Sequence, residues 1–400
     1  MGLRGVPVVM YHGVGPDRPG WPWNHVLMPA DLFEGHMSIL RDRGWTAITL
    51  AELHRHMVEG APLAPRSVVL TFDDGYLDNW VYAFPIIRKY GHRAVIWVST
   101  DFVDPAIAPR PTLDDVWAGR LTERELDPRG YLSWEEMRRM VASGFIEIQS
   151  HAQTHTWYAS GSNIVDFHRP AGVDGYDPPL WLGWNEFPDR KFESMNVRLS
   201  ELVPYGRPIY EHGKSLAVKR YFEDPRLSAR LVDRVARGGG TAFFDSTGWR
   251  EELRAIVRDF GPRSDRMETQ EEYEERVRSE LVESRRIIEE NLRTRVEYLC
   301  WPGGGRSSAT FRIAEEAGYR ATTTHFQDHT RRNVYGQNPR EISRIGCGSP
   351  WVWRGRVFRR TSPEFFMAGL EVFAGGKNSI WKLRGYKLAY IVARVFRGMK

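Results

Sequence analysis

Cysteine is nearly absent: the 400 residues include only Cys300 and Cys347. Two thiols make no disulfide framework, which excludes a small stapled secreted scaffold and suits a reducing compartment. Long apolar runs are missing too, and no stretch approaches the roughly 18 residues that a membrane-spanning helix needs. The apolar run near Val6 stops after about five residues, too short for the core of a secretory signal. A cytoplasmic chain is expected. Acidic residues are scarce only near the C-terminus. Residues 351–400 hold eleven Lys/Arg against Glu364 and Glu371, a local +9 in a chain of net charge +5, so the rest is net acidic. Such a segment fits an anionic partner or a solvated basic end.

What is present is enough apolar surface for a large core. Hydrophobic residues make up 42% and aromatics 12%, which excludes disorder for the whole chain. Runs at 6–11, 48–50, 67–72, 94–98 and 145–148 read as strands, with helices predicted over 30–43 and 77–90. Ser133 and Glu136 make a capping box that opens a further helix. The alternation predicts an α/β fold with a parallel sheet, closed as a barrel or open. After His155 it stops. Residues 157–268, rich in Gly, Pro, Trp and Tyr, read as an inserted lobe. Thr269 and Glu272 form a second capping box and restart the pattern, which continues through strand 296–300 to the breaker Pro302-Gly303-Gly304-Gly305. The expected division is a body at 1–156 and 269–346, an insertion at 157–268 and a basic extension at 347–400.

Two motifs follow buried strands. Thr71-Phe72-Asp73-Asp74-Gly75-Tyr76 puts adjacent carboxylates where parallel-sheet enzymes place their sites. Like charges so close repel unless a cation or shared proton relieves them. A divalent metal on one Asp would leave the other as a base; Asp-Asp-Gly is equally good turn chemistry. Ser150-His151-Ala152-Gln153-Thr154-His155 then offers two imidazoles four residues apart. One Asp and two His make the three-ligand set of a catalytic metal site with a position open for water.

These motifs resemble the first two of the polysaccharide deacetylases, carbohydrate esterase family four, over about residues 6–156 and 269–346. The resemblance implies a distorted (β/α) barrel, here with a large insertion, that removes N- or O-acetyl groups from sugars. By position it implies Asp73 as catalytic base and Asp74, His151 and His155 as ligands of one divalent metal, zinc first, with nickel, cobalt or ferrous iron as alternatives. The opening Val9-Met10-Tyr11-His12 is similar to the branch acting on poly-N-acetylglucosamine, which implies His12 as general acid; a core histidine at a strand end is the other reading. The third family motif, Arg-x-Pro-x-Gly, corresponds to Cys300-Trp301-Pro302-Gly303-Gly304. Cys300 stands where the family has the Arg that orients the base, so that partner is unassigned. Gly303 can offer its backbone N–H to an oxyanion.

Tyr76, Trp301 and Pro302 beside the motifs, and Trp184 and Tyr210 in the insertion, are candidate substrate contacts, since aromatic faces stack on sugar rings; a satellite core explains the insertion aromatics equally. His325-Phe326-Gln327-Asp328-His329 reads as a polar loop rather than a second metal cluster. The glycines after Pro302 lack the spacing of a nucleotide-binding loop, and no nucleic-acid partner is expected. The substrate expected is a glycan or a lipid-linked saccharide, with N-deacetylation as the reaction. Deformylation of such a sugar and a non-catalytic glycan-binding relative are the alternatives. Leu388, Ile391, Val392 and Val395 fall at helical spacing among basic residues, so 378–400 can lie on an anionic inner-membrane surface or pack on the body.

Overall fold

The computed structural model describes residues 5–19, 21, 23–324, 332–347, 351–353, 356–358, 361–376 and 379–396. The polar loop 325–329 lies outside the described residues. Two compact units emerge. The first comprises 1–152, 284–304 and 318–400, and the second 153–283 and 305–317.

The first unit is built on eight parallel strands: β1 (Val8–Tyr11), β2 (Ser67–Phe72), β3 (Ala94–Val98), β4 (Ile146–Ser150), β5 (Tyr298–Leu299), β6 (Ala321–Thr324), β7 (Glu341–Ser343) and β8 (Ile345–Gly346). Neighbours in sequence are neighbours in space from β1 through β7, and β8 pairs with the free edge of β1. A further short strand, Thr46–Ala47, also pairs with β2. β7 and β8 are one residue apart in the chain yet lie on opposite edges of the sheet. The sheet is therefore rolled into a nearly closed barrel, and Arg344 sits in the seam. The Asn333 amide staples that seam, donating to the carbonyls of Val6 (3.0 Å) and Ser343 (2.8 Å) and accepting from the Ser343 N–H (2.8 Å).

All six residues of β2 are buried, the near-continuous apolar run of a strand covered on both faces. One core joins Val8, Val69, Val95, Trp97, Tyr298, Ala321 and Ile342 from six of the strands. Each such side chain removed from water contributes roughly 1.5–3 kcal/mol. Side chains alternate along a strand with period two. The face that carries Val8, Val69 and Ile342 therefore returns at His12, Asp73 and Arg344. The barrel interior thus runs directly into the residues at the C-terminal rim, where barrels of this kind place their chemistry.

Both capping boxes form. Ser133 and Glu136 exchange backbone bonds of 2.9 and 3.3 Å, and Thr269 and Glu272 bonds of 2.9 and 3.1 Å. The basic extension is not a separate body. Helix Pro363–Phe373 buries Phe365, Phe366 and Leu370, and Phe366 stacks on His36 with ring centroids 4.0 Å apart. The second unit contains an antiparallel ribbon, Trp157–Phe167 with Pro208–Lys214, and helices Pro225–Arg237 and Trp249–Arg258. Its core gathers Phe167, Leu231, Phe244 and Trp249.

Candidate active site

Every motif residue in the first unit follows directly on the end of a barrel strand. His12 follows β1, Asp73 and Asp74 follow β2, His151 follows β4, Cys300 follows β5 and Arg344 follows β7. Backbone bonds extend the sheet past its formal ends: Asp73 N–H to Tyr11 O at 3.0 Å, His151 N–H to Val98 O at 2.9 Å, and Cys300 N–H to Ser150 O at 2.9 Å. The reactive side chains stand on ordered backbone.

The two adjacent carboxylates have different partners. Asp73 is buried and receives a two-pronged bond from Arg344, Nη1 to Oδ1 at 2.6 Å and Nη2 to Oδ2 at 2.9 Å. Arg344 is 4% exposed, so this is a desolvated, bidentate pair. The Cys300 thiol lies 3.7 Å and His12 Nε2 3.9 Å from Asp73 Oδ2. Burial pushes the Asp73 carboxyl up, but Arg344 first, then His12 and His151, more than offset it and hold it below the usual range. Asp74 instead faces His151, Oδ1 to Nε2 at 3.2 Å. His151 Nδ1 is 2.8 Å from the Cys300 carbonyl, an acceptor only, which places a proton on Nδ1 and leaves Nε2 facing Asp74. The Asn79 amide holds the His12 carbonyl at 2.9 Å.

Backbone strain marks the same motifs. Asp74 has φ 74°, Ala152 φ 58° and His155 φ 41°, left-handed values that non-glycine residues seldom adopt and that recur at functional sites. Gly75 supplies φ 69° without penalty, and a Cβ there would crowd Val98 at 3.3 Å.

A carboxylate and an imidazole lone pair facing each other at 3.2 Å repel unless a proton or cation lies between them. This donor set fits a divalent ion. Asp73 and Cys300 also reach His151, all three offering donor atoms within 4.8 Å of one another. The guanidinium fixed on Asp73 disfavours a cation there, so of the two carboxylates Asp74 is the one placed to meet one. His155, four residues beyond His151, belongs to the second unit, where its buried ring lies edge-on to Trp157 and Trp184 at 6.0 and 6.3 Å.

The remaining candidates separate by burial. Gly303 adopts φ 52° in the turn after β5. Tyr76, Trp301 and Trp184 are each 1% exposed, so they support the surrounding walls rather than present a face to a ligand. Pro302 is also buried. Tyr210 lies in the second unit with its ring buried. Arg344 had no sequence assignment. Its only local signal is a charge two residues after buried Ile342, on the same face of the strand.

The family profile described as polysaccharide deacetylase matches residues 60–166 and 256–322. A putative polysaccharide deacetylase of Bacillus subtilis, YxkH, is 27% identical over 150 residues, 38% of this chain and 43% of that one. The poly-beta-1,6-N-acetyl-D-glucosamine N-deacetylase of Escherichia coli K12 is 30% identical over 118 residues, 30% of this chain and 16% of that one. The chain thus spans less than half the length of these relatives. Among solved structures, a de-N-acetylase from Aggregatibacter actinomycetemcomitans superposes with TM-score 0.51 at 16% identity, covering 85% of this chain and 94% of that one. The BpsB deacetylase domain of Bordetella bronchiseptica gives 0.50 at 18% identity, covering 86% and 96%. At these identities the structural likeness is one of fold.

Proposed function

We propose that this chain, which belongs to the polysaccharide deacetylase family, hydrolyses an N-acetyl group on a glycan or lipid-linked saccharide with the help of one divalent metal. The observation that carries the reading is the division of labour between neighbours: Asp73 is clamped by Arg344 and Asp74 faces His151. In this reading Asp74, His151 and His155 hold the ion. The first two already present facing donor atoms, and the chain brings the second imidazole only four residues after the first. A bound divalent ion supplies Lewis acidity toward a carbonyl and lowers the pKa of water.

Asp73 stays ionised at neutral pH and takes a proton from the attacking water. Each of its oxygens keeps a lone pair beyond the Arg344 bonds. Arg344 positions that carboxylate and keeps it charged. His12, whose Nε2 lies 3.9 Å from Asp73 Oδ2, delivers a proton to the leaving amine, and the Gly303 N–H steadies the oxyanion. Acetate release by the metal-loaded chain from N-acetylated glycans tests the reading. A chain that binds these glycans without releasing acetate would be the non-catalytic relative. Release of formate in preference to acetate would establish the deformylase.

We further propose that the enzyme acts at the cytoplasmic face of a membrane, resting there on helix Ser379–Phe396. No helix among the described residues is long and apolar enough to cross a membrane. Trp381 (70% exposed), Leu388 (62%) and Val392 (43%) form one outward stripe, with Lys382, Arg384 and Lys387 exposed beside it. Tyr386 and Tyr390 turn the other way, toward Phe365. Ile391 is half-buried, and the Val395 side chain lies outside the described residues. An apolar stripe flanked by cations suits an anionic interface. Two free thiols, both buried, suit a reducing compartment.

A further inference from the structure

The two imidazoles of the second motif are seated in different ways. His151 rests on the sheet, its N–H bonded to the Val98 carbonyl and its own carbonyl accepting from the Ser99 hydroxyl at 2.9 Å. His155 lies farther along a segment, 151–156, that is neither helix nor strand, and the ribbon begins only at Trp157. Its φ of 41° is left-handed, a conformation that a non-glycine residue keeps only where its surroundings over-determine it. Something other than a strand ladder must set the direction of this ring.

The residue before it is held at its N–H, its hydroxyl and its carbonyl by two buried side chains. Thr154 donates both its N–H (3.1 Å) and its hydroxyl (2.8 Å) to Glu280 Oε1, and its carbonyl accepts from Lys191 Nζ at 2.9 Å. Glu280 comes from helix Gln270–Leu292 and Lys191 from the turn Pro188–Glu193, so two distant segments of the second unit close on one residue. Glu280 is 4% exposed and Lys191 2%. Burying ionisable groups is costly, and neutral side chains could satisfy one threonine. What the charged pair adds is stronger, better-directed bonds. The Thr154 carbonyl shares a peptide plane with the His155 nitrogen, so Lys191 fixes the plane from which the His155 side chain departs.

We propose that Glu280 and Lys191 are positioning residues for the metal site: by holding Thr154 from both sides they set the backbone that aims the His155 imidazole. This rests on the reading above in which His155 is a ligand. A ligand already fixed when the ion arrives needs no ordering on binding, so loss of the bracket is read as loss of metal affinity.

The test is isothermal titration of the metal-free full-length protein with zinc. Glu280→Ala and Lys191→Met should each weaken binding roughly 10–100-fold. Glu280→Gln keeps the accepting oxygen and should stay within about threefold of the unsubstituted chain. Thr154→Val removes only the hydroxyl and should weaken binding about fivefold; it decides the matter where a buried variant fails to fold. In a His155→Ala background Glu280→Ala should cause no further loss, whereas a general loosening of the fold would add its full effect. Unchanged affinity in folded Glu280→Ala and Thr154→Val, or the same loss with and without His155, would overturn the proposal. A His155→Ala chain that binds zinc as tightly as the unsubstituted one would overturn the ligand assignment itself, and this proposal with it.

Discussion

Arg344 donates two parallel hydrogen bonds to Asp73 across 271 residues of chain. The pair is buried, and the Asp73 carboxylate depends on the guanidinium for its charge. Replacing Arg344 by Gln leaves Asp73 with burial as the dominant influence, and its carboxyl should rise. The acidic limb of the pH–rate profile should then move to higher pH by more than one unit, with kcat down roughly 10²-fold or more. Arg344→Lys keeps the charge but not the fork and should fall between. An unmoved limb in a folded Arg344→Gln protein would remove Arg344 from the mechanism.

The metal assignment separates the two neighbouring carboxylates. Asp74→Ala and His151→Ala should each lose most bound metal, read by elemental analysis of the purified chain. Asp73→Asn should keep it while activity falls about 10²–10⁴-fold. Metal lost equally from Asp73→Asn and Asp74→Ala would mean that both carboxylates are ligands.

These motifs were legible because they are local: each follows a recognisable strand, and its spacing is fixed by a few bonds. The clamp was not. Ser343-Arg344-Ile345 resembles any strand end, and only closure of the barrel brings it to Asp73. Burial was not legible either. Tyr76, Trp301 and Trp184 look like sugar-stacking residues in sequence, whereas tertiary packing places all three in walls. The insertion boundary differs for a similar reason, since the second unit also takes in 269–283 and 305–317, residues whose helical pattern reads as barrel.

Glu147 on β4 gives a stability prediction with a definite sign. Burial first, and then Glu52, raise its carboxyl to about 7. Its neutral form is favoured in the folded chain, so the associated stability is complete below the unfolded value near 4.5 and is lost as pH rises through about 7. Glu147→Gln should therefore raise stability by ~1–3 kcal/mol at pH 8 and leave it nearly unchanged at pH 4. Denaturant melts at the two pH values check this; an equal gain at both would point to packing instead.

The C-terminal helix should bind anionic vesicles, more weakly as salt rises, through its cations. The double substitution Trp381→Ala/Leu388→Gln should reduce binding on the order of 100-fold while leaving the fold intact, because both side chains already face solvent. Cosedimentation reads the effect. Binding that the double variant retains in full would make the interaction purely electrostatic.

The seam has a consequence for the order in which the molecule becomes active. As the chain is made from its N-terminus, the strands bearing Asp73, Asp74 and His151 emerge long before residue 344. A chain ending short of β7 and β8 would carry its motif carboxylates and histidines without the guanidinium that pairs with Asp73. On the proposed mechanism the closing seam is thus also the arming step, because Arg344 arrives with it.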